Sequence, residues 1–182
     1  MIVNSPYSGK PMRVVYENDT WDFRGEKFRY VHIAFRDDEH NEQFTTTESD
    51  TVCYEQVTNQ YRAKYGIPYT DEIIAVRERY GISAAKMSLI LGIGINQYRL
   101  YEQGEVPSVS NGRMIRSIMN PKVMLEMVES SKNELSATEY DKITTKVKAA
   151  IAESDAYKLE QYDIRRLFNV PRGAENGYAQ TR

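Results

Sequence analysis

Glycine and proline residues divide the middle of this chain into short segments, and this punctuation restricts its fold more than any other feature. After Pro68, turn-forming residues recur too closely for a long helix to form. Residues 84–91 predict one short helix, which Ser83 caps and which Gly92-Ile93-Gly94 ends. A second short helix is predicted over 96–103. Two such helices joined by a tight turn are the arrangement that lets the second helix enter a DNA major groove.

Further helices are predicted on both sides of this pair, over 70–80, 110–119 and 123–130. Together these segments predict one all-helical DNA-binding domain over 67–130. The domain carries seven basic and seven acidic residues. General attraction to DNA is therefore weak, and binding must come from local contacts.

The N-terminal region is different in character, because it is rich in aromatic and β-branched residues. Alternation with a period of two predicts a strand over 28–35, with Phe28, Tyr30, His32 and Ala34 on one face. Other strands are predicted over 12–16 and 44–47, with turns at 17–19 and 24–26. We therefore expect a small antiparallel β module over 1–47, followed by a linker helix over 48–66.

The C-terminal region, 131–182, is predicted as a helical extension with a loose tail. Ser136 and Glu139 have the spacing of a capping box, which predicts a helix from there to about Ala152. A second amphipathic helix is predicted over 157–168, and residues 170–182 are expected to be loose. The expected fold class is mainly α with a small N-terminal α+β module and a helix-turn-helix bundle in the middle of the chain.

Composition excludes several classes of protein. The net charge is −2, there is one cysteine, Cys53, and no apolar run is long enough to span a membrane. These features predict a cytoplasmic protein without disulfides, and Cys53 is expected to be a small buried residue. The chain has no phosphate-binding loop, no nucleophile elbow and no zinc-protease motif, so we expect no enzyme activity.

Residues 70–130 resemble the Cro/C1-type (XRE) helix-turn-helix domain. The pattern Tyr80-Gly-Ile-Ser-Ala-Ala-Lys-Met-Ser-x-Ile-Leu-Gly followed by Asn96-Gln-Tyr-Arg-x-Tyr-Glu is similar to the MqsA/YgiT-type antitoxins. With the β module and linker helix, the similarity extends over residues 1–130. It implies an antitoxin that represses its own operon and binds a partner toxin through residues 1–66.

The residues of the helix pair divide by their expected direction. Ile93, Tyr98 and Tyr101 are expected in the core, and Glu102 is expected to make a local hydrogen bond or ion pair. The polar residues that the core does not need are candidates for reading base edges, the alternative being a solvated polar face: Asn96, Gln97, Arg99 and Gln103. Candidate contacts to DNA phosphates lie on the flanking segments: Ser83, Lys86, Tyr101, Ser108, Ser110, Asn111 and Arg113.

The resemblance implies base contacts from Asn96 and from an arginine further along the helix. In the matching register this chain has Leu100, and its arginine, Arg99, stands one position earlier. The resemblance also implies a zinc ion held by two Cys-x-x-Cys pairs. At the matching places the chain has Ser5, Ser8, Asp37 and His40, which are too poor a ligand set for zinc. We expect no metal and no cofactor, with hydrogen bonds keeping the same turns.

These observations predict a sequence-specific DNA-binding regulator that binds duplex operator DNA as a homodimer. A dimer is expected because one helix pair reads only a few base pairs. The alternative is a protein-interaction module that keeps the helix-turn-helix fold but no longer binds DNA.

Overall fold

A computed structural model of the chain describes residues 2–167, and it describes side chains for residues 2–156. These residues form two compact units. Unit 1 comprises the described residues up to Glu72 and Gln103–Arg116, and unit 2 comprises Ile73–Glu102 and the described residues from Ser117 onward. The domain boundaries predicted after residues 47, 66 and 130 are based on sequence motifs, whereas these units are defined by compactness, so the predicted boundaries stay predictions.

Unit 1 contains a three-stranded antiparallel sheet whose strands follow the order of the chain. The strands are β1 (Arg13–Phe23), β2 (Glu26–Asp37) and β3 (Glu42–Phe44). In the central strand, β2, Phe28 and Ala34 are buried, whereas Arg29 and Val31 are exposed. The predicted alternation therefore holds from Phe28 to Val31, but it fails near the end of β2, where the neighbours Ala34 and Phe35 are both buried.

A two-residue turn joins β1 to β2, as predicted at 24–26. Arg24 and Gly25 have φ values of 55° and 81°, which match the right-handed twist of the flanking strands. A positive φ is unfavourable for arginine. The Arg24 guanidinium donates to the main-chain oxygens of Val106 at 2.6 Å and Pro107 at 2.9 Å, and these bonds offset that cost.

Two predictions for the sheet are wrong. No turn forms at 17–19, because these residues lie inside β1 and pair with residues 30–32. Their polar side chains are exposed, so the strand continues without burying them. The third strand ends at Phe44 rather than at residue 47, because Thr46 already caps the next helix.

That helix, α1 (Thr47–Tyr65), confirms the helix predicted over 48–66, and it belongs to unit 1 together with the sheet. Thr46 and Ser49 form a capping box at its start, and Gly66, with a φ of 67°, ends it. Cys53 is buried, as expected. Edge-to-face contacts between aromatic rings join the sheet to α1, from the exposed Trp21 to the buried Phe28 and Tyr61. The rings in this series are Trp21, Phe23, Phe28, Tyr30, Tyr54 and Tyr61.

A buried arginine connects α1 to two loops of unit 1. Only 1% of Arg62 is exposed. Its guanidinium donates to the carbonyl oxygens of Pro68 at 2.7 Å, Glu105 at 3.1 Å and Gly104 at 3.3 Å. Burial lowers the pKa of Arg62, although an arginine keeps its charge in proteins. One side chain thus supports the end of α1 and the loop that precedes α5 (Val109–Ser117).

The remaining helices build unit 2, apart from the first turn of α2, which belongs to unit 1. The five helices predicted between 70 and 130 are all present with ends shifted by one or two residues. Their core includes Tyr80, whose hydroxyl donates to the carbonyl of Ile118 at 2.7 Å. The helices not yet given are α2 (Thr70–Tyr80), α3 (Ala84–Ile90), α4 (Gln97–Glu102), α6 (Pro121–Ser130) and α7 (Ala137–Leu167).

The C-terminal helix is longer than predicted. The expected capping box is present, since Glu139 accepts hydrogen bonds from Ser136 and Ser136 accepts one from the Glu139 amide. Two separate helices were predicted with a break after Ala152, and this is wrong, because α7 is continuous to Leu167. No glycine or proline lies between the two predicted segments, so nothing interrupts the helix. The tail predicted over 170–182 lies outside the described residues.

The chain is therefore mainly α with a small N-terminal antiparallel sheet, as the fold class predicted at this level. None of the described helices is both long enough and apolar enough to cross a membrane.

Candidate nucleic-acid interface

The candidate interface is built on α3, the turn 91–96 and α4. Ser83 begins α3 by accepting a hydrogen bond from the Lys86 amide. The chain turns after α3 at Gly92, which has a φ of 63°. Glycine suits this position because a residue with a side chain would be strained at that φ. The Ile93 amide donates to the Ser88 carbonyl at 3.0 Å, which closes the turn. Two short helices thus follow each other closely within unit 2.

Tyr98 anchors α4 from its inner side. Its ring is fully buried, its hydroxyl donates to the carbonyl of Ile73 at 2.8 Å, and its amide donates to the Ser88 hydroxyl at 3.0 Å. Burial raises the pKa of Tyr98, so the phenol is neutral at any physiological pH. The predicted core position of Tyr98 is confirmed.

A mostly buried ion pair holds the end of α4. The Arg77 guanidinium on α2 contacts the Glu102 carboxylate, and it also donates to the carbonyl of Ile82 at 3.3 Å. The expectation that Glu102 makes an ion pair is confirmed, although the sequence did not identify Arg77 as its partner. With Tyr98 and Glu102 both held, α4 has a defined orientation within unit 2.

The outer side of α4 carries the predicted base-reading residues. Asn96 and Arg99 are exposed, and Gln97 is half-buried. Gln103 is also exposed, but it belongs to unit 1. The amide of Asn96 and the guanidinium of Arg99 lie about one helical turn apart, and both groups can form hydrogen bonds to base edges. Because both side chains are exposed, such bonds would take no hydrogen-bonding group away from the core.

Three of the predicted phosphate contacts lie in unit 2, and they differ in availability. The Ser83 side chain is exposed at the start of α3. Lys86 is 25% exposed and forms an ion pair with Glu139 at 3.0 Å. Tyr101 is 3% exposed, so its ring belongs to the core, the first of the two roles predicted for it. Of these three residues, only Ser83 and Lys86 are therefore available for contact with a DNA phosphate.

The other predicted phosphate contacts lie around the start of α5 in unit 1. The Ser108 hydroxyl accepts from the Asn111 amide at 3.2 Å and lies 3.0 Å from the Ser110 hydroxyl. Arg113 is exposed one turn later. Capping hydroxyls and a cation at a helix N-terminus are suited to an anion, so these residues stay predicted phosphate contacts.

The residues at the places where the resemblance implies zinc ligands form a hydrogen-bonded cluster in unit 1. The Ser5 hydroxyl donates to Asp37 Oδ2 at 2.5 Å and accepts from the amides of Tyr7 and Ser8. The Asp37 carboxylate also contacts His40 Nδ1 at 2.8 Å and accepts from the Glu39 amide at 2.9 Å. Both carboxylate oxygens are thus engaged, and among the described residues no group of three metal-binding side chains converges. This cluster does not fit a zinc ion.

We expect the purified chain to contain far less than one zinc ion per molecule, because serine hydroxyls remain protonated near neutral pH and bind zinc poorly. Elemental analysis of the untagged protein measures this directly. A stoichiometric zinc ion that a chelator removes with unfolding of unit 1 would contradict the assignment of Ser5 and Asp37 as hydrogen-bonding partners.

Acid should weaken unit 1 through Asp37. The Ser5 hydrogen bond, with further donors at His40 and Glu39, lowers the pKa of Asp37 to about 2. An unperturbed aspartate has a pKa of about 3.9, so this contribution to stability is complete above that pH and disappears as the pH falls towards 2. Ser5→Ala should therefore reduce stability most at pH 7, and the difference from wild type should shrink below pH 4.

Urea unfolding followed by fluorescence measures this difference, because Trp21 is the only tryptophan and lies in unit 1. Ser8→Ala is the matched control, since no hydrogen bond joins the Ser8 hydroxyl to Asp37. If the Ser5→Ala difference stays constant from pH 7 to pH 2.5, Ser5 does not act through the Asp37 carboxylate.

Taken together, the described residues bring Asn96, Gln97, Arg99, Ser83 and Lys86 onto unit 2, and they place Gln103 and the α5 residues on unit 1. Comparison of the chain with models of known protein families gives no match, and comparison with curated proteins gives none either. The assignment of function therefore depends on the geometry of these residues.

Proposed function

We propose that this protein is a cytoplasmic, sequence-specific DNA-binding regulator that presents α4 to the major groove of an operator. The supporting observation is the asymmetry of α4. Its inner side is held by Tyr98 and Glu102, whereas Arg99 on α4 and Asn96 just before it are exposed and lie outside the core. A rigid short helix with an outward amide and guanidinium is what base recognition requires.

In this proposal Asn96 pairs with adenine and Arg99 with guanine. Asparagine can bind the N6 and N7 atoms of adenine together, and arginine can bind the O6 and N7 atoms of guanine. Gln97 is a candidate for a neighbouring base position, and Gln103, on unit 1, stays a separate predicted base contact. Ser83, at the start of α3, faces a phosphate and fixes the register without reading the sequence.

Lys86 has a competing partner in the free protein. Glu139 holds its ammonium group, and the same contact together with Ser136 lowers the pKa of Glu139 to about 2, so the carboxylate is charged at neutral pH. A phosphate must displace or share this carboxylate to bind Lys86. The ion pair therefore reduces nonspecific attraction to DNA and leaves more of the affinity to base contacts.

Glu139→Gln should strengthen binding to any duplex, because it releases Lys86 while glutamine still serves the capping box of α7. The slope of log affinity against log salt should become steeper by about one, the value for one additional phosphate contact. Fluorescence anisotropy at several salt concentrations measures this. Glu153→Gln is a control on the same helix, where Glu153 is exposed. If Glu139→Gln leaves the slope unchanged, Lys86 does not contact phosphate.

A protein-interaction module is the second candidate function. The Lys86–Glu139 pair and the exposed Glu134 reduce positive charge on the side of unit 2 that bears Ser83. A surface of this kind binds DNA only if base contacts supply the affinity. Failure of sequence-specific binding would favour this second candidate.

The resemblance to the MqsA/YgiT-type antitoxins also supports two proposed partners, a second copy of this chain and a toxin. A homodimer would read two half-sites about 34 Å apart, which lengthens the recognised sequence. Residues 1–66 would bind a partner toxin, so that the regulator represses the operon that encodes both proteins.

Footprinting of the gene's own upstream region with the full chain tests the proposal. We expect a discrete protected site made of two patches about one helical turn apart. Uniform protection at high protein concentration, or none, would contradict it.

A further inference from the structure

Among the residues of unit 2 whose side chains the structure describes, the most exposed large apolar one is Ile95, which directly precedes Asn96 and α4. It is 81% exposed. Burying an isoleucine side chain is favourable, yet this one remains in solvent at the end of the turn 91–96. Ile93, two residues earlier, is half-buried, so the structure only partly confirms the core position predicted for it.

The surroundings of Ile95 show what could cover it. It lies at a groove of about 570 Å³ on unit 2, whose apolar part includes Leu89 and Ile93. The polar part of the groove is formed by Ser83, Lys86 and Glu134. On the other side of Ile95 the chain continues into Asn96. Ile95 therefore stands between the proposed phosphate contacts and the proposed base contacts, and a duplex touching both groups would cover it.

We infer that Ile95 contacts the methyl group of a thymine in the major groove, next to the base pair that Asn96 reads. This inference rests on the proposed function and adds a preference for thymine at one position of each half-site. The thymine methyl is the apolar group that base pairs present in the major groove. A side chain at the start of α4, adjacent to a base-reading residue, is positioned to reach it.

A protein partner fits these features less well. A stable protein interface buries about 800 Å² on each side with an apolar centre. Here the exposed Ile95 and Leu100 are separated by Asn96, Gln97 and Arg99, and covering these polar groups with an apolar surface would cost free energy that two apolar side chains do not offset.

A uracil scan of the footprinted site tests the inference. Each thymine is replaced in turn by uracil, which removes only the methyl group, and affinities are measured for the full wild-type chain, Ile95→Ala and Ile95→Val. For wild type we expect one position per half-site to lose about fourfold in affinity, the effect of burying one methyl-sized group. Ile95→Ala should lose sensitivity at that position alone, and Ile95→Val should retain part of it.

Ile2→Ala is the matched control. Ile2 is also 81% exposed and belongs to unit 1, so its replacement should leave the whole uracil profile unchanged. Thermal unfolding of all three variants should match wild type, since neither isoleucine contributes substantially to a core.

Three results would overturn the inference. If wild type and Ile95→Ala show the same uracil profile on a specific site, Ile95 does not contact a thymine, although the proposed function stands. If Ile95→Ala binds DNA like wild type but changes the oligomeric state measured by light scattering, the side chain faces a protein. If wild type binds no duplex specifically, both the inference and the proposed function fail.

Discussion

Arg62→Ala is expected to destabilise unit 1 by at least about 3 kcal/mol. The substitution removes the Arg62 donor from the carbonyl oxygens of Pro68, Gly104 and Glu105, and the buried Pro68 carbonyl alone costs about 1–3 kcal/mol when it is left unsatisfied. It also leaves a cavity where a fully buried side chain stood. Urea unfolding followed by Trp21 fluorescence measures the loss in the unit that contains Arg62.

Two control variants separate this effect from a general loss of positive charge. Arg29→Ala removes an exposed arginine from β2 and should change stability by no more than about 0.5 kcal/mol. Arg62→Lys keeps the charge but loses the planar fork, so its loss should lie between the other two. Equal stability of Arg62→Ala and Arg29→Ala would show that the three carbonyls do not depend on Arg62.

Asn96→Ala is expected to weaken binding to the operator by about 1–3 kcal/mol, the value of one bidentate base contact. Binding to a scrambled duplex should hardly change, because Asn96 is proposed to contact a base rather than a phosphate. The variant should also tolerate a base change at one operator position that wild type rejects. Anisotropy titrations against the operator, the changed operator and the scrambled duplex measure all three affinities.

Asn18→Ala is the matched control for this variant, since Asn18 is an exposed asparagine on β1. Asn96→Asp is a second test, because aspartate keeps a polar side chain before α4 but lacks the amide donor and adds negative charge. It should bind the operator no better than Asn96→Ala. A uniform loss for all duplexes with Asn96→Ala would indicate a structural or phosphate role instead.

The helices of unit 2 could be predicted because their limits are set locally. Ser83 and Asn120 cap α3 and α6 through their own side chains, and Gly92 needs no tertiary contact to adopt a positive φ. The burial of Tyr98 also follows from helical spacing alone. Such features depend on neighbours within one or two turns, and a single sequence contains that information.

Other features depend on segments that are distant in the chain and could not be predicted. The sequence suggested an ion pair for Glu102 but not that Arg77 would supply it, and it did not suggest that Glu139 would hold Lys86. Ile95 and Ile93 are identical residues on either side of Gly94, yet only Ile95 is strongly exposed. Their difference arises from the path of the turn, which hydrophobic pattern does not encode.

At residues 17–19 the local sequence predicts a turn, but contacts with a distant segment determine the structure instead. Glu17, Asn18 and Asp19 have turn chemistry, but pairing along the whole length of β1 with β2 outweighs it. The break predicted after Ala152 is wrong for a different reason, because no helix-breaking residue lies between residues 152 and 157.

The most direct test of the proposed function compares the affinity of the full chain for its own upstream duplex and for a scrambled duplex of equal length and composition, at low and at physiological salt. A sequence-specific regulator should prefer its operator by at least about 10³-fold at physiological salt. The preference should persist as salt rises, because base contacts release fewer counterions than phosphate contacts. Equal affinity for the two duplexes at both salt concentrations would contradict DNA recognition by α4.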